Sequence, residues 1–211
     1  MEGKVALITG SSSGIGAGIA QRFAELGCSL ALTGRDAGKL KDVETSCRQC
    51  GLSEKKILLV PGDLTEDEDI DRIFSETIGK FGRLDILVRI HNTLSCVVNM
   101  SSVASKTTCD YNPTYSISKV ALDQFTKSLA VELGPFGVRV NSLNPGVILT
   151  PLYRHLGKTD EQLITWSKSM LPIGRHGTVD EVVKATEYLI SDDARCVTGM
   201  LLSIDGGRFL M

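Results

Sequence analysis

Thr9-Gly10-Ser11-Ser12-Ser13-Gly14-Ile15-Gly16 is the stretch that decides how this chain folds. It lies between an apolar run, Val5-Ala6-Leu7-Ile8-Thr9, and a segment in which Ile15, Ile19, Phe23 and Leu26 recur at a period near 3.6. A strand that runs into a helix needs a turn here. Glycines let that turn carry backbone N–H groups to the helix N-terminus with no Cβ atoms in the way. The positive end of the helix dipole then faces the turn, which suits the diphosphate of a dinucleotide held by Gly10, Ser12, Ser13, Gly14, Ile15 and Gly16. The plainer alternative is a tight strand-to-helix turn without a ligand.

Outward from this turn the same alternation continues. Ser29 to Thr33, Ile57 to Val60, Leu84 to Val88, Cys96 to Asn99, Val138 to Leu143 and Met200 to Ile204 read as six further strands. Between them lie helical patterns: Leu40, Val43 and Cys47; Ile70, Ile73 and Phe81; Leu122, Phe125, Leu129 and Leu133. Strand and helix in alternation imply an α/β fold, a doubly wound parallel sheet of Rossmann type in three α/β/α layers. Gly27 and Gly51 fall where helix C-caps are expected, Asp36 and Thr178 where N-caps are, and Pro135 stops the long helix after Glu132. The one long connection runs from Pro145 to Pro172 with a short helical pattern over Gln162 to Met170, and residues 151–172 read as a loop covering a substrate.

The chain has 211 residues, 42% of them hydrophobic, enough for one core and short for two, so residues 1–211 read as a single domain. Lys and Arg total 23 against 25 Asp and Glu, a net charge of -2, which gives no electrostatic reason for nucleic acid or an anionic membrane as partner. Its apolar runs are far below the roughly 20 residues that span a bilayer, and Met1-Glu2-Gly3-Lys4 leads into the first strand with no signal-peptide pattern, so the expected location is cytoplasmic. Six cysteines are too dilute for a disulfide scaffold. Cys47-x2-Cys50 has metal or redox spacing but no second pair, and Cys47 reads better as helix core. His91, His155 and His176 are scattered. Trp166, in the covering loop, is a substrate wall or a plain lid residue.

The glycine spacing Gly-x3-Gly-x-Gly resembles the short-chain dehydrogenase/reductase family in its classical branch, and the resemblance runs through nearly the whole chain. It implies 3-oxoacyl-reductase-like or carbonyl-reductase-like chemistry: hydride exchange between a nicotinamide cofactor and a small-molecule carbonyl or secondary alcohol. At the end of the second strand, Gly34-Arg35 stands where many NAD enzymes carry an acidic residue. Arg35 suits a 2′-phosphate, which favours NADP(H) over NAD(H); the alternative is that Arg35 caps a solvent edge while Asp36 turns inward. Gly62-Asp63-Leu64-Thr65 resembles the adenine-contacting segment; alternatively Asp63 only N-caps the next helix.

Tyr115-Ser116-Ile117-Ser118-Lys119 opens the long helix and places Tyr115 and Lys119 one turn apart on one face. A phenol ionises near pH 10, too high for proton transfer near neutrality, and an adjacent ammonium favours its phenolate. By resemblance Tyr115 is the acid/base, Lys119 its partner, and Ser102, 13 residues before Tyr115, a hydrogen-bond donor to the same substrate oxygen. Asn144-Pro145-Gly146-Val147-Ile148-Leu149-Thr150 resembles the segment whose Pro145 and Gly146, Ile148 backbone and Thr150 hydroxyl hold the nicotinamide. No metal site is implied.

One break stands out. Family members follow the fourth strand with an Asn-Asn-Ala-Gly turn and a helix bearing a catalytic Asn, whereas here Val88 is followed by seven residues, Arg89 to Ser95, before the fifth strand. Roughly forty residues of the pattern are absent, and neither Asn92 nor Asn99 matches the missing Asn; a parallel crossover normally needs about a dozen residues or more. The expectation is a sheet face left without its covering helix and apolar side chains left wet. The homo-oligomer common in the family should be impaired, with Val120, Phe125 and Leu129 on an unpartnered outer face. A second possibility follows: a nucleotide-binding, catalytically impaired remnant or splice form of such an enzyme.

Overall fold

The structure, a computed structural model, describes residues 1–88, 96–107, 112–151, 157 and 159–211. The chain divides into two compact units, Met1–Ser95 and Cys96–Met211.

The first unit contains β1 (Val5–Thr9), α1 (Gly14–Glu25), β2 (Ser29–Thr33), α2 (Ala37–Gln49), β3 (Ile57–Leu59), α3 (Asp67–Phe81) and β4 (Ile86–Val88). Its strands are all parallel in the order β3-β2-β1-β4, with β1 and β2 in register from Val5 opposite Ser29 to Thr9 opposite Thr33. The chain steps from β1 outward to β2 and β3 on one side and returns to β4 on the other. The carboxyl end of β1 is therefore a topological switch point, where ligands bind in open α/β sheets. Ile19 and Phe23 of α1, Leu30 and Leu32 of β2, and Leu40 of α2 are fully buried, each worth about 1.5–3 kcal/mol relative to exposure. Gly27 and Gly51 follow their helices with φ of +76° and +95°, the left-handed C-cap geometry expected of them. Asp85, almost fully buried, accepts from the backbone N of Val5 at 2.9 Å and is chelated by the Arg83 guanidinium, fixing the start of β4 beside the start of β1. This strand begins at Ile86, two residues later than its apolar pattern suggests.

The second unit contains β5 (Cys96–Met100), a 3-10 turn (Val103–Ser105), α4 (Pro113–Leu133), β6 (Arg139–Pro145), α5 (Asp160–Met170), α6 (Val179–Ile190) and β7 (Leu201–Ile204). β6 lies between β5 and β7, all parallel. Residues an odd number apart on a strand point to opposite faces. Cys96 Sγ donates to the Leu189 carbonyl of α6 at 3.4 Å, whereas Asn99 Nδ2 donates to Thr126 Oγ1 of α4 at 3.0 Å, so β5 has a helix on each face.

That layering corrects the expected wet face: Ile86, Leu87 and Val88 of β4 and Cys96, Val97 and Val98 of β5 are all buried. For β5 the reason is that α4 and α6, rather than the absent helix, supply its cover. α4 continues through Leu133, and Pro135 sits in a 3-10 turn over Gly134–Phe136 rather than ending the helix itself. Leu129, expected on the outer face of α4, is in the core at 8% exposure; Val120 and Phe125 are exposed, and so are Ile117 and Val131. The expectations placed on Arg89 to Ser95, and those on His91 and His155, lie outside the described residues. Among the described residues no helix is long and apolar enough to cross a membrane, and no group of three or more His, Cys, Asp or Glu is arranged to hold a metal ion.

Candidate active site

The glycine turn leaves β1 at the switch point. Gly10 and Gly14 have φ of +60° and +57°, left-handed values that residues with a Cβ rarely adopt. A Cβ on Gly16 would fall inside contact distance of the Gly10 carbonyl oxygen, so α1 sits against the turn with no room to spare. Ser11, which the sequence did not single out, is fully buried and ties the turn to β2, its N and Oγ both donating to the Thr33 carbonyl at 3.1 and 3.2 Å. Ser13 is the N-cap of α1, yet its side chain caps nothing, and the first turn holds no acidic residue. Among the described residues, no side chain thus caps the N-terminal amides at the positive dipole end of α1.

Beyond β2, Ser12 lies against Gly34, where a Cβ would come 3.2 Å from the Ser12 hydroxyl. Arg35 is exposed. Asp36 does not turn inward: it is exposed and caps α2, accepting from the Lys39 N at 3.0 Å. Asp63 does not N-cap α3, whose N-cap is Glu66. Instead it closes a local turn, accepting from Thr65 N and Oγ1 at 3.1 and 3.0 Å, while its own N donates to Asp69. The Thr65 amide and hydroxyl hold the Asp63 carboxyl below its ordinary 3.8, and the Arg35 charge adds to the effect. Leu64 is exposed beside it.

In the second unit, the N-cap Asn112 accepts from the Tyr115 N at 3.0 Å and Pro113 begins α4. Lys119 Nζ donates to the Met100 carbonyl at the end of β5 (2.9 Å) and lies 5.5 Å from the Tyr115 ring centroid. Ser101 Oγ donates to the Lys119 carbonyl, a second tie between β5 and the same turn of helix. Ser102 N-caps the 3-10 turn, its Oγ accepting from Ala104 N at 3.2 Å; Tyr115 is 37% exposed. The Ser102 carbonyl accepts from Ser105 N, Ser105 Oγ (2.8 Å) and Asn144 Nδ2 (3.2 Å). Both of those side chains reach Asp123 of α4. Ser105 Oγ lies 2.5 Å from Oδ2, and Asn144 Nδ2 lies 3.0 and 2.9 Å from the two carboxylate oxygens.

Pro145 ends β6 opposite Ile204 of β7. Gly146 donates to the Ile204 carbonyl at 3.0 Å, and a Cβ there would meet the Asp205 Cα at 2.7 Å. Ile148 is buried and bridges to Gly177, while Thr150 is half-buried. The turn Asp205-Gly206-Gly207 also supports the exit of α5. Ile173 N donates to the Gly206 carbonyl, and a Cβ on Gly207 would lie 2.9 Å from Pro172. Trp166 of α5 stacks with the Arg208 guanidinium at 5.6 Å. Of 151–172, residues 152–156 and 158 lie outside the described residues. Burial pushes the Cys28 and Cys47 thiols up to about 12, which fits Cys47 as helix core.

The comparisons with known proteins agree with this architecture. A family model described as short chain dehydrogenase matches residues 4–93, and one described as Enoyl-(Acyl carrier protein) reductase matches residues 88–208. The glucose 1-dehydrogenase of Gluconobacter oxydans is 30% identical, covering 99% of this chain and 92% of that protein. The 3-oxoacyl-(acyl-carrier-protein) reductase of Aquifex aeolicus is 29% identical over 99% of this chain and 98% of its own length. The crystal structure of L-sorbose reductase from Gluconobacter frateurii, complexed with NADPH and L-sorbose, superposes with a TM-score of 0.90 at 27% identity, covering 100% of this chain and 98% of that one. The chain belongs to the short-chain dehydrogenase/reductase family, whose members are NAD(P)-dependent oxidoreductases of Rossmann fold. The glucose 1-dehydrogenase alignment spans 249 positions against 211 residues here, so that relative carries positions this chain lacks.

Proposed function

We propose that the chain is an NADP(H)-preferring oxidoreductase that interconverts a carbonyl and a secondary alcohol. The glycine turn fits a dinucleotide: among the described residues the amides at the start of α1 have no side-chain cap, and Gly16 abuts Gly10 so closely that no side chain is admitted there. Gly10, Ser12, Ser13, Gly14, Ile15 and Gly16 would hold the diphosphate, Asp63 and Leu64 the adenine, and Pro145, Gly146, Ile148 and Thr150 the nicotinamide end. Arg35 supports the NADP(H) preference. It is exposed just past β2, and Asp36, the nearest carboxylate in sequence, is engaged in capping α2.

When bound, the cofactor supplies the hydride exchanged with the substrate carbon. The chain's own groups manage the proton. Tyr115 Oη gives it to the carbonyl oxygen in reduction and takes it back in oxidation, and Ser102 Oγ donates a hydrogen bond to that oxygen. Lys119, pinned by the Met100 carbonyl, presents its charge beside the Tyr115 ring and stabilises the phenolate left behind. One arrangement carries this reading: Tyr115 and Lys119 on one face of α4, with Lys119 anchored to the end of β5 two residues before Ser102. The test is a fluorescence titration with NADPH and NADH, joined to steady-state reduction of simple ketones and 3-oxoacyl thioesters. Tighter NADPH binding with turnover is expected; binding of neither cofactor would overturn the reading.

The brevity of the Val88–Cys96 connection favours one second reading, a nucleotide-binding, catalytically impaired remnant. It expects a melt raised by NADPH with no turnover across the same substrates.

A further inference from the structure

We propose that Asp123 is a positioning residue that holds the Ser102 turn and the Asn144-Pro145-Gly146 segment in one fixed relation; the inference rests on the roles given above to Ser102, Pro145 and Gly146. Asp123 lies one helical turn beyond Lys119 and two beyond Tyr115, and only 6% of it is exposed. A buried carboxylate is a costly way to fill a core position unless its oxygens are used, and here both are. Oδ1 accepts from Asn144 Nδ2 at 3.0 Å and from Ser142 Oγ at 3.4 Å, and Oδ2 from Asn144 Nδ2 at 2.9 Å and from Ser105 Oγ at 2.5 Å.

The hydrogens decide what this network does. Ser105 Oγ has one, with two acceptors in reach, the Asp123 carboxylate at 2.5 Å and the Ser102 carbonyl at 2.8 Å. The shorter, charge-assisted contact takes it. The Ser102 carbonyl is then held by Ser105 N at 3.1 Å and by Asn144 Nδ2, which carries two hydrogens and turns one toward Asp123 and one toward the Ser102 turn, where the Ser102 carbonyl (3.2 Å) and Ser105 Oγ (3.0 Å) share it. Among the described residues, Asn144 Oδ1 is buried without a hydrogen-bond partner, so none of them on its own side fixes the amide. The carboxylate does, because a reversed amide would set oxygen against oxygen. Asp123 thus orients Asn144, Asn144 holds the backbone of Ser102, and the residue after Asn144 begins the nicotinamide segment.

The experiment compares Asp123→Leu, Asp123→Asn and Ser105→Ala with the unaltered chain by amide hydrogen exchange, NADPH binding and steady-state kinetics. In Asp123→Leu the amides of Ala104 to Thr107 should exchange about tenfold faster while those of β1 and β2 keep their protection. Its kcat should fall about tenfold or more, with KM for NADPH and the NADPH Kd changed by a smaller factor than kcat. Asp123→Asn keeps an acceptor for Asn144 and donates to Ser105, which frees that hydroxyl for the Ser102 carbonyl, so exchange and kcat should stay within about threefold. Unchanged exchange in Asp123→Leu overturns the proposal, and so does equal impairment of the Leu and Asn variants. Should Asp123→Leu not fold, Ser105→Ala decides: faster exchange at Ala104 to Thr107 supports the proposal and unchanged exchange overturns it. An unaltered chain that binds NADPH yet reduces no carbonyl overturns the catalytic roles given above, and exchange then judges Asp123 by itself.

Discussion

Arg35 and Asp36 are neighbours with different work: Asp36 is committed to the N-terminus of α2, and Arg35 stands exposed past the end of β2. Arg35→Ala should therefore weaken NADPH binding by about 1.5–3 kcal/mol, the worth of a charge-assisted hydrogen bond, and leave NADH nearly unchanged. Paired titrations check this, and an equal loss for both cofactors would refute it. Tyr115→Phe removes one hydroxyl from a ring whose placement is set by Asn112 and the helix backbone. Carbonyl reduction should disappear while the NADPH Kd holds; a variant keeping most of the rate would remove Tyr115 from the acid/base role.

At the scale of elements, α6 shows how a cap becomes a pH sensor. Thr178 accepts from Glu181 N at 3.2 Å and Glu181 Oε2 accepts from Thr178 N at 2.9 Å, a closed capping box, with the Arg175 guanidinium on both Glu181 oxygens. Arg175 first, and the Thr178 backbone amide next, lower the Glu181 carboxyl from 4.5 to about 2. A depressed carboxylate stabilises the fold above its unfolded value and loses that contribution as pH falls from about 4.5 toward 2. Glu181→Gln should lower Tm at pH 7 by an amount that shrinks through that window, read by melts in a pH series. Thr178→Ala should cost about 0.5–2 kcal/mol. The sequence made this cap legible, as it did the order of strands and the glycine turn, because each is written in neighbouring residues. Asp123 escaped because its partners, Ser105 and Asn144, lie far from it in the chain and meet only when α4 packs on β6. Its helical phase was the available signal, since it shares a buried stripe with Thr126 and Ala130. The wet face failed for a similar reason: the covering of β5 by α6 joins residues over ninety positions apart.

For the molecule as a whole, the thiols report global unfolding. Cys28, Cys47 and Cys96 are buried, Cys50 is partly exposed and Cys196 exposed. Among these described cysteines, thiol labelling should modify Cys196 first and reach the three buried sites only with the main melting transition; early labelling of Cys28 would mean that the first unit opens separately. Ile117 and Val131 of α4 are 68% and 80% exposed, a surface expected to self-associate. Light scattering should show growth with concentration, reduced in Val131→Lys; a monodisperse species at every concentration would argue against it. The turn Asp205-Gly206-Gly207 has a further consequence, best put mechanically. It is a spacer without play: Gly146 rests on Asp205 and Gly207 on Pro172, each too close to admit a methyl group. Close-packed contacts transmit displacement rather than absorb it. A displacement at Pro172 is therefore expected to be felt at Pro145 and Gly146, which ties the two ends of the Pro145–Pro172 connection together through three residues at the far end of the chain.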